Sequence, residues 1–385
     1  MRVLHVCEAL GGGTISALAA MVDATPEIDH HLLARHRPGC DTGLDLAAVF
    51  TSVTELPTNP PRAVRRLRQQ IHGLFPDIVH AHSSFAGLLT RAVPLGGVPL
   101  VYSPHCFAVE RRDVGPWTRR LYALVERSLA ARTDLLLAVA PHELVLGERL
   151  GYPRGAYAAN RANLALEPSA RFQLPLRIVT AGRICAAKDP DHFIHVKRYV
   201  ESELQLHATW EWLGGGREAN AERLRAAGVV VSGWLDQREL VARMSSAQIY
   251  LHTAAWEASP ISILEAASLG LPLVLRAIPT LESLALPGIC ADVVATAERI
   301  ALLHDAETWW RASMESLELT ERHSRQVQGD QLRGAYAQVT RGAHTDRFAT
   351  ATAHTPLQIA RGRATAVRAV RPPGRFDLPT AGAHR

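Results

Sequence analysis

The sequence predicts a parallel α/β protein made of two doubly wound, Rossmann-like domains facing a central cleft. Three observations carry this: short runs of Val, Ile and Leu alternate with helical patterns, the series runs twice, and several runs end in glycines. Parallel strands buried on both faces read as unbroken apolar runs, and each crossover between them needs a helix.

The first series places strands at 2–7, 31–34, 78–80, 100–102 and 135–139, with helices at 61–75 and 116–132. The second places them at 177–180, 208–213, 229–231, 249–252 and 273–276, with a helix at 218–227. Between the series, 155–175 lacks periodicity. The reading is therefore an N-terminal domain over 1–165 and a C-terminal domain over 166–344, whose last helix can pack back on the first domain. Residues 345–385 turn to Ala, Thr, Arg, Pro and Gly without apolar periodicity and read as a disordered basic tail. In such folds ligands bind at the carboxyl ends of the strands, here in the cleft between the domains.

Composition narrows the function. The 385 residues carry a net charge of +5, but 341–385 hold eight Arg and two Asp, which leaves −1 for the rest. Specific nucleic-acid binding thus loses its main support. No window is apolar enough to span a membrane, and the start has no signal-peptide core, so a cytoplasmic protein is expected. Five widely spaced cysteines without C-x-x-C read as reduced thiols, not as a zinc site. His30-His31 and His80-Ala-His82 read as strand-end or surface residues, not as ligands. Only two of the 42 basic residues are lysines, Lys188 and Lys197.

Four segments carry chemistry. Gly11-Gly12-Gly13 follows the first strand and opens a helix, which suits either close approach of an anionic ligand or a plain tight turn. Gly182-Arg183 ends a strand, four residues separate Arg183 from Lys188, and two cations there could neutralise a diphosphate. Asp189-Pro190 then caps a helix, although Asp189-Pro-Asp191 also spells a D-x-D metal motif. After the next strand, Gly216-Arg217 suits a nucleotide pocket or a turn. In W-E-A-S-P-I-S-I-L-E-A, Glu257 falls in a loop, Ser259 can cap a helix with Pro260 at its first position, and Ile261 follows. Glu265 then stands on an otherwise apolar helix, where a carboxylate is costly without a partner such as a ribose diol.

Together these residues resemble the retaining GT-B glycosyltransferases of family 4, the glycosyl transferases group 1. Glu257 and Glu265 match E-x7-E, Gly182-Arg183 with Lys188 matches G-R-x4-K, and Gly11 to Gly13 match the first glycine loop. D-I-V-H-A-H-S-S-F-A-G-L-L-T-R and V-Y-S-P-H-C-F look like signatures of members that build bacterial surface polysaccharides. The resemblance implies that Arg183 and Lys188 hold the donor diphosphate in place of a metal and that Glu265 binds ribose hydroxyls. Glu257 would lie near the transferred sugar beside the backbone of Ala258, Ser259, Pro260 and Ile261. His105 would contact the sugar near the reacting carbon, and Gly12 and Gly13 would approach the donor. It implies front-face transfer with retention of a hexose-type sugar from a nucleoside-diphosphate sugar, UDP favoured, used as co-substrate with no cofactor. The acceptor would be a lipid-linked or surface glycan, or else a small secondary metabolite. Departures from the pattern bear on the sugar: Ala258 replaces a Gly, Ala277-Ile-Pro279 precedes Glu282 where Gly-Gly is usual, and only Asn160 and Asn163 stand near the missing P-N-G.

Three other readings are open. The near G-x-G-x-x-G with Arg35 and Arg37 suits an NADP oxidoreductase, which leaves Arg183, Lys188, Glu257 and Glu265 unexplained. A non-catalytic, glycosyltransferase-like binding subunit fits the departures. The helix at 61–75, with Arg62, Arg65, Arg66 and Arg68 opposite Val64, Leu67, Ile71 and Leu74, could make weak contact with an anionic membrane or be a solvated face.

Overall fold

The computed structural model describes residues 1–36, 44–163 and 166–340. The first half runs β1 (Arg2–Leu10), α1 (Gly13–Ala24), β2 (Asp29–His36), α2 (Leu46–Val49), β3 (Ser52–Glu55), α3 (Pro60–Leu74) and β4 (Ile78–His82). It continues through α4 (Ser84–Ala92), β5 (Leu100–Ser103), α5 (Pro116–Ala130), β6 (Leu135–Ala138), α6 (Pro141–Leu150) and β7 (Gly155–Tyr157). The second half runs β8 (Leu176–Ala181), α7 (Pro190–Ser202), β9 (Ala208–Leu213), α8 (Glu218–Ala226), β10 (Val230–Val231), α9 (Gln237–Ser245) and β11 (Ile249–His252). There follow α10 (Ile261–Ser268), β12 (Leu273–Arg276), α11 (Pro279–Ser283), β13 (Ile289–Cys290), α12 (Val293–Leu302), α13 (Ala306–Arg322) and α14 (Arg325–Thr340).

The predicted α/β class with two Rossmann-like halves is what the chain forms. All strand pairs are parallel, in the orders β3-β2-β1-β4-β5-β6-β7 and β10-β9-β8-β11-β12-β13. In each sheet the order reverses beside the first strand, β1 against β4 and β8 against β11. A crevice opens at such a switch point, and the loops after β1 and β8 are two of the three glycine-bearing segments singled out above.

Every strand read from the sequence is present, and three more were not legible. β3 alternates half-buried and exposed residues at a sheet edge, while β7 and β13 have three and two residues, too few for a pattern. β7 lies within the stretch read as irregular. The boundary placed between 165 and 166, the segment 341–344 and the tail 345–385 fall wholly or partly outside the described residues.

The polypeptide crosses between the halves twice. Arg161 after β7 donates to Gln328 at 3.1 Å and pairs with Asp23, and His323 Nδ1 lies 2.6 Å from the Asn160 carbonyl. After the second crossing, α14 lays Leu332, Ala335, Tyr336 and Val339 against Val3, Met21, Ile78 and Leu137. Leu332 and Val339 each contribute about 1.5–3 kcal/mol by this burial. The last described helix thus completes the core of the first half.

Candidate active site in the cleft

A cavity of about 1020 Å³ lies between the sheets, at the carboxyl ends of β1, β4, β5, β8 and β11. Gly12, Gly13, His105, Arg183, Lys188, Glu257, Ser259, Pro260, Ile261 and Glu265 all line it. The structure therefore brings together residues spread over 250 positions of the chain.

On the C-terminal side, β8 delivers Gly182 with φ of +135°, and a Cβ there would stand 3.1 Å from Lys188 Cε. Glycine is what lets the lysine stem pass over the strand end. Lys188 Nζ forms a 2.7 Å ion pair with Glu257 Oε1. Burial pulls the ammonium pKa down, but Glu257 together with Tyr250 and Cys185 outweighs it and the net shift is upward, so Lys188 is charged. Arg183 is exposed and has no ion pair among the described residues. Asp189 caps α7 through the His192 N–H at 3.2 Å and accepts from Arg276 at 2.6 Å, while Asp191 pairs with Arg223. Capping and arginine pairing thus account for both carboxylates of the D-x-D.

Glu265 stands a turn into α10, buried, and its carboxylate has no hydrogen bond or ion pair among the described residues. Burial alone raises its pKa to about 7. Ser259 does not cap this helix, contrary to expectation: α10 begins one residue later, with Pro260 as its N-cap and no side-chain cap. Pro260 fixes the extended turn, and the Ser259 carbonyl instead accepts from Asn160 Nδ2 at 2.9 Å. That bond ties the Glu257 loop to the first crossing between the halves. Gly216 also departs from its expected place, since neither it nor Arg217 lines the cavity, whereas Gly214 does. A Cβ on Gly216 would meet the Ile184 carbonyl at 2.4 Å, so the residue serves close packing of two loops.

On the N-terminal side, Gly12 has φ of +53° and turns the chain from β1 into α1. His105 and Cys106 have φ of +47° and +83°, uncommon for residues with side chains. Glu143 holds this corner: its two carboxylate oxygens accept from the Cys106 and Val139 N–H groups, each at 2.8 Å. Burial pushes the Glu143 pKa to about 7 against those two donors. His105 is lowered by burial to about 4 and is neutral, with Nε2 3.0 Å from His82 Nδ1. His30, His31, His80 and His82 are all buried, not on the surface. The sequence reading had them as strand-end or surface residues, and His82 does end β4, but it missed their burial, His5 and Glu143; the His-x-His period of two in a strand was the available signal.

Among other expectations, α3 spends Ala63, Leu67 and Ile71 on the core and turns its arginines outward, as both the solvated-face and the membrane-contact readings require. Arg35 donates to the Glu8 carbonyl at 3.2 Å, and Arg37, the other proposed NADP contact, lies outside the described residues. Cys106, Cys185 and Cys290 carry free thiols, and Cys40 lies outside the described residues. No described helix is long and apolar enough to cross a membrane.

Comparison with known proteins agrees with this geometry. The family described as Glycosyl transferase 4-like domain matches residues 3–161, and Glycosyl transferases group 1 matches residues 175–306. A Klebsiella pneumoniae protein, named "Uncharacterized 41.2 kDa protein in cps region", is 22% identical over 82% of this chain and 93% of its own. The Escherichia coli UDP-Gal:alpha-D-GlcNAc-diphosphoundecaprenol alpha-1,3-galactosyltransferase is 26% identical over 51% of this chain and 56% of its own length. Among solved structures, sucrose-phosphate synthase from Thermosynechococcus elongatus superposes with a TM-score of 0.72 at 14% identity, over 89% of this chain and 100% of that one. That likeness gives the fold, and the matched halves give the family. With both halves matched and the cleft between them, the chain belongs to the glycosyl transferases group 1 and is a glycosyltransferase.

Proposed function

We propose that the protein transfers a hexose-type sugar, with retention and without a metal, from UDP-sugar to a lipid-linked or surface-polysaccharide glycan. The observation that carries this reading is the convergence of Arg183, the Lys188–Glu257 pair and an unpartnered Glu265 in one cavity. Two cations at the end of β8 meet a diphosphate, and the buried carboxylate suits two ribose hydroxyls. As the sugar–phosphate bond breaks, negative charge grows on the leaving oxygen, and Arg183 and Lys188 are already placed to receive it. The two lysine and arginine charges supply what a divalent ion would otherwise supply.

Within a retaining reaction, front-face attack rather than double displacement is favoured by how the cavity's carboxylates other than Glu265, which is assigned to the ribose, are engaged. Glu257 is held by Lys188, Glu126 by Arg91 at 2.8 Å, and Glu8 by Ser83 and the Ala86 N–H. A double displacement needs an unengaged carboxylate under the sugar. The UDP preference and the lipid-linked acceptor draw on the E. coli relative, whose name states both.

An exposed apolar stripe gives the acceptor reading a physical footing. Trp117, Leu121 and Leu124 on α5 are 78%, 56% and 64% exposed, next to Phe85 and Leu88 on α4. Leu121, Phe85 and Leu88 also line the cavity, and Arg119, Arg120 and Arg127 share α5. A basic, apolar helix face of this kind lies on anionic lipid, which would place the enzyme peripherally on the cytoplasmic side. The protein should co-sediment with anionic vesicles, and Trp117→Ser with Leu124→Ser should weaken that by roughly tenfold or more. Equal binding by the double variant would exclude this face.

The direct test is thermal shift against UDP, GDP, ADP and NADPH, with and without a chelator. At a hundredfold excess over Kd, a ligand adds about 2.7 kcal/mol. UDP alone should raise Tm, with the chelator making no difference, and a UDP-sugar should give a product whose anomeric configuration matches the donor. A shift with NADPH only, or an inverted product, would overturn the proposal.

A further inference from the structure

Neighbouring strands β2, β1 and β4 carry His30, His5 and His82, all buried, and the three rings continue the line that ends at His105. His105 Nε2 is 3.0 Å from His82 Nδ1, His82 Nε2 is 2.9 Å from His5 Nδ1, and His5 Nε2 is 2.9 Å from His30 Nδ1. His30 Nε2 ends the row, 3.0 Å from Thr25 Oγ1 and 3.3 Å from the Thr25 carbonyl.

The far end fixes the direction of every bond. The Thr25 hydroxyl donates to the Met21 carbonyl at 2.8 Å, so only acceptors face His30 Nε2, which must carry the hydrogen. Burial keeps all four rings neutral, and a neutral imidazole has one N–H. His30 Nδ1 is therefore bare and accepts from His5, whose bare Nδ1 accepts from His82, whose bare Nδ1 accepts from His105. Reversing the row would leave the Met21 and Thr25 carbonyls each facing a lone pair.

His80 stands beside this row without joining it. Its Nε2 donates to Ser103 Oγ at 2.9 Å, whose own hydrogen goes to the Leu137 carbonyl at 2.7 Å, and the Tyr336 hydroxyl donates to Nδ1 at 3.0 Å. His5, His80 and His82 cluster closely enough to suggest a metal triad, but every one of their ring nitrogens is already paired.

We propose that this row sets the tautomer of His105, with the hydrogen on Nε2 and a bare Nδ1 that accepts a hydrogen bond from a sugar hydroxyl. His82, His5 and His30 act through His105 and are positioning residues. A ring set this way cannot donate to a phosphate oxygen or to the leaving group, so it orients the sugar and leaves the diphosphate to Arg183 and Lys188. The sugar contact rests on the donor reading above; the tautomer does not.

The test is ¹⁵N-histidine NMR of the ligand-free protein, with signals assigned by single His→Gln substitutions, read beside the kinetics of two His82 variants. All four rings should show hydrogen on Nε2 and a bare Nδ1; a protonated Nδ1 or a tautomer mixture at His105 overturns the proposal. His82→Leu removes the acceptor for His105, and should mix its tautomers and lower kcat about tenfold or more with the UDP-sugar KM unchanged, the scale on which tautomer-fixing partners act. His82→Gln can accept from His105 and donate to His5, and should recover kcat to within about threefold. Packing alone predicts no such difference between the two variants, and a His82→Leu protein with wild-type kcat and a single His105 tautomer overturns the proposal. If His82→Leu does not fold, the wild-type spectrum decides. An absence of turnover with any nucleotide sugar counts against the donor reading and leaves the spectrum to decide the tautomer.

Discussion

Lys188→Ala should lower kcat for sugar transfer about 10²–10³-fold, the usual loss when one fixed charge at a developing anion is removed. UDP affinity should fall by less, because Arg183 remains. The substitution has a second effect that must be separated from the first. Lys188 and Glu257 side chains are only 15% and 22% exposed, and removing the ammonium leaves a carboxylate in the cleft wall without its partner. A destabilisation of about 2 kcal/mol is expected, between the exposed and buried cases. Lys188→Met with Glu257→Gln removes both charges and should recover most of the lost Tm but none of the activity. Recovery of activity in that double variant would show that the lysine serves only to neutralise Glu257. Steady-state kinetics and melting curves on the three proteins decide it.

Glu265→Gln should raise the stability of the ligand-free protein while weakening UDP binding. The folded carboxyl has a pKa of about 7 against an ordinary value of 4.5, so the native state holds more protons between those two pH values. Its contribution to stability is full below pH 4.5 and lost as pH rises through 7. Glu143 titrates in the same window, so the measurable quantity is the difference between wild type and Glu265→Gln, which should widen from pH 5 to pH 8. Ligand binding has the opposite sign. A ribose diol donates to the ionised form, so below pH 7 binding must first remove a proton, and affinity should fall by up to tenfold per pH unit. Two charge-assisted hydrogen bonds contribute about 2–4 kcal/mol, roughly 30- to 1000-fold in Kd. Calorimetry at several pH values should show proton release on UDP binding to wild type and none in the variant. A Kd unchanged by the substitution would remove Glu265 from the nucleotide site.

What was legible in the sequence follows from the range of the forces involved. Strands β1, β8 and β11 could be read because burial on both faces demands unbroken apolar runs, and Asp189-Pro190 because a cap and the first turn are adjacent in sequence. Glu265 stood out because a carboxylate on an apolar helix contradicts its surroundings. The Lys188–Glu257 contact joins two loops 69 residues apart, and only the sheet order sets its distance. Ser259 was misread as a cap because an extended proline one position later set the boundary. The surface alternative for the histidines failed because polarity suggests exposure, whereas the rings found partners on other strands, out of reach of any local pattern.

The two crossings between the halves make the second domain an insertion: the described residues of 1–157 pack with 325–340, and the second sheet is spliced between them. A ribosome makes the first sheet first, but Leu332, Ala335, Tyr336 and Val339 do not yet exist when β7 is complete. The half that begins the chain is thus the last to close its core, and it waits, with Met21 and Ala24 of α1 uncovered, for the whole of its neighbour to be made.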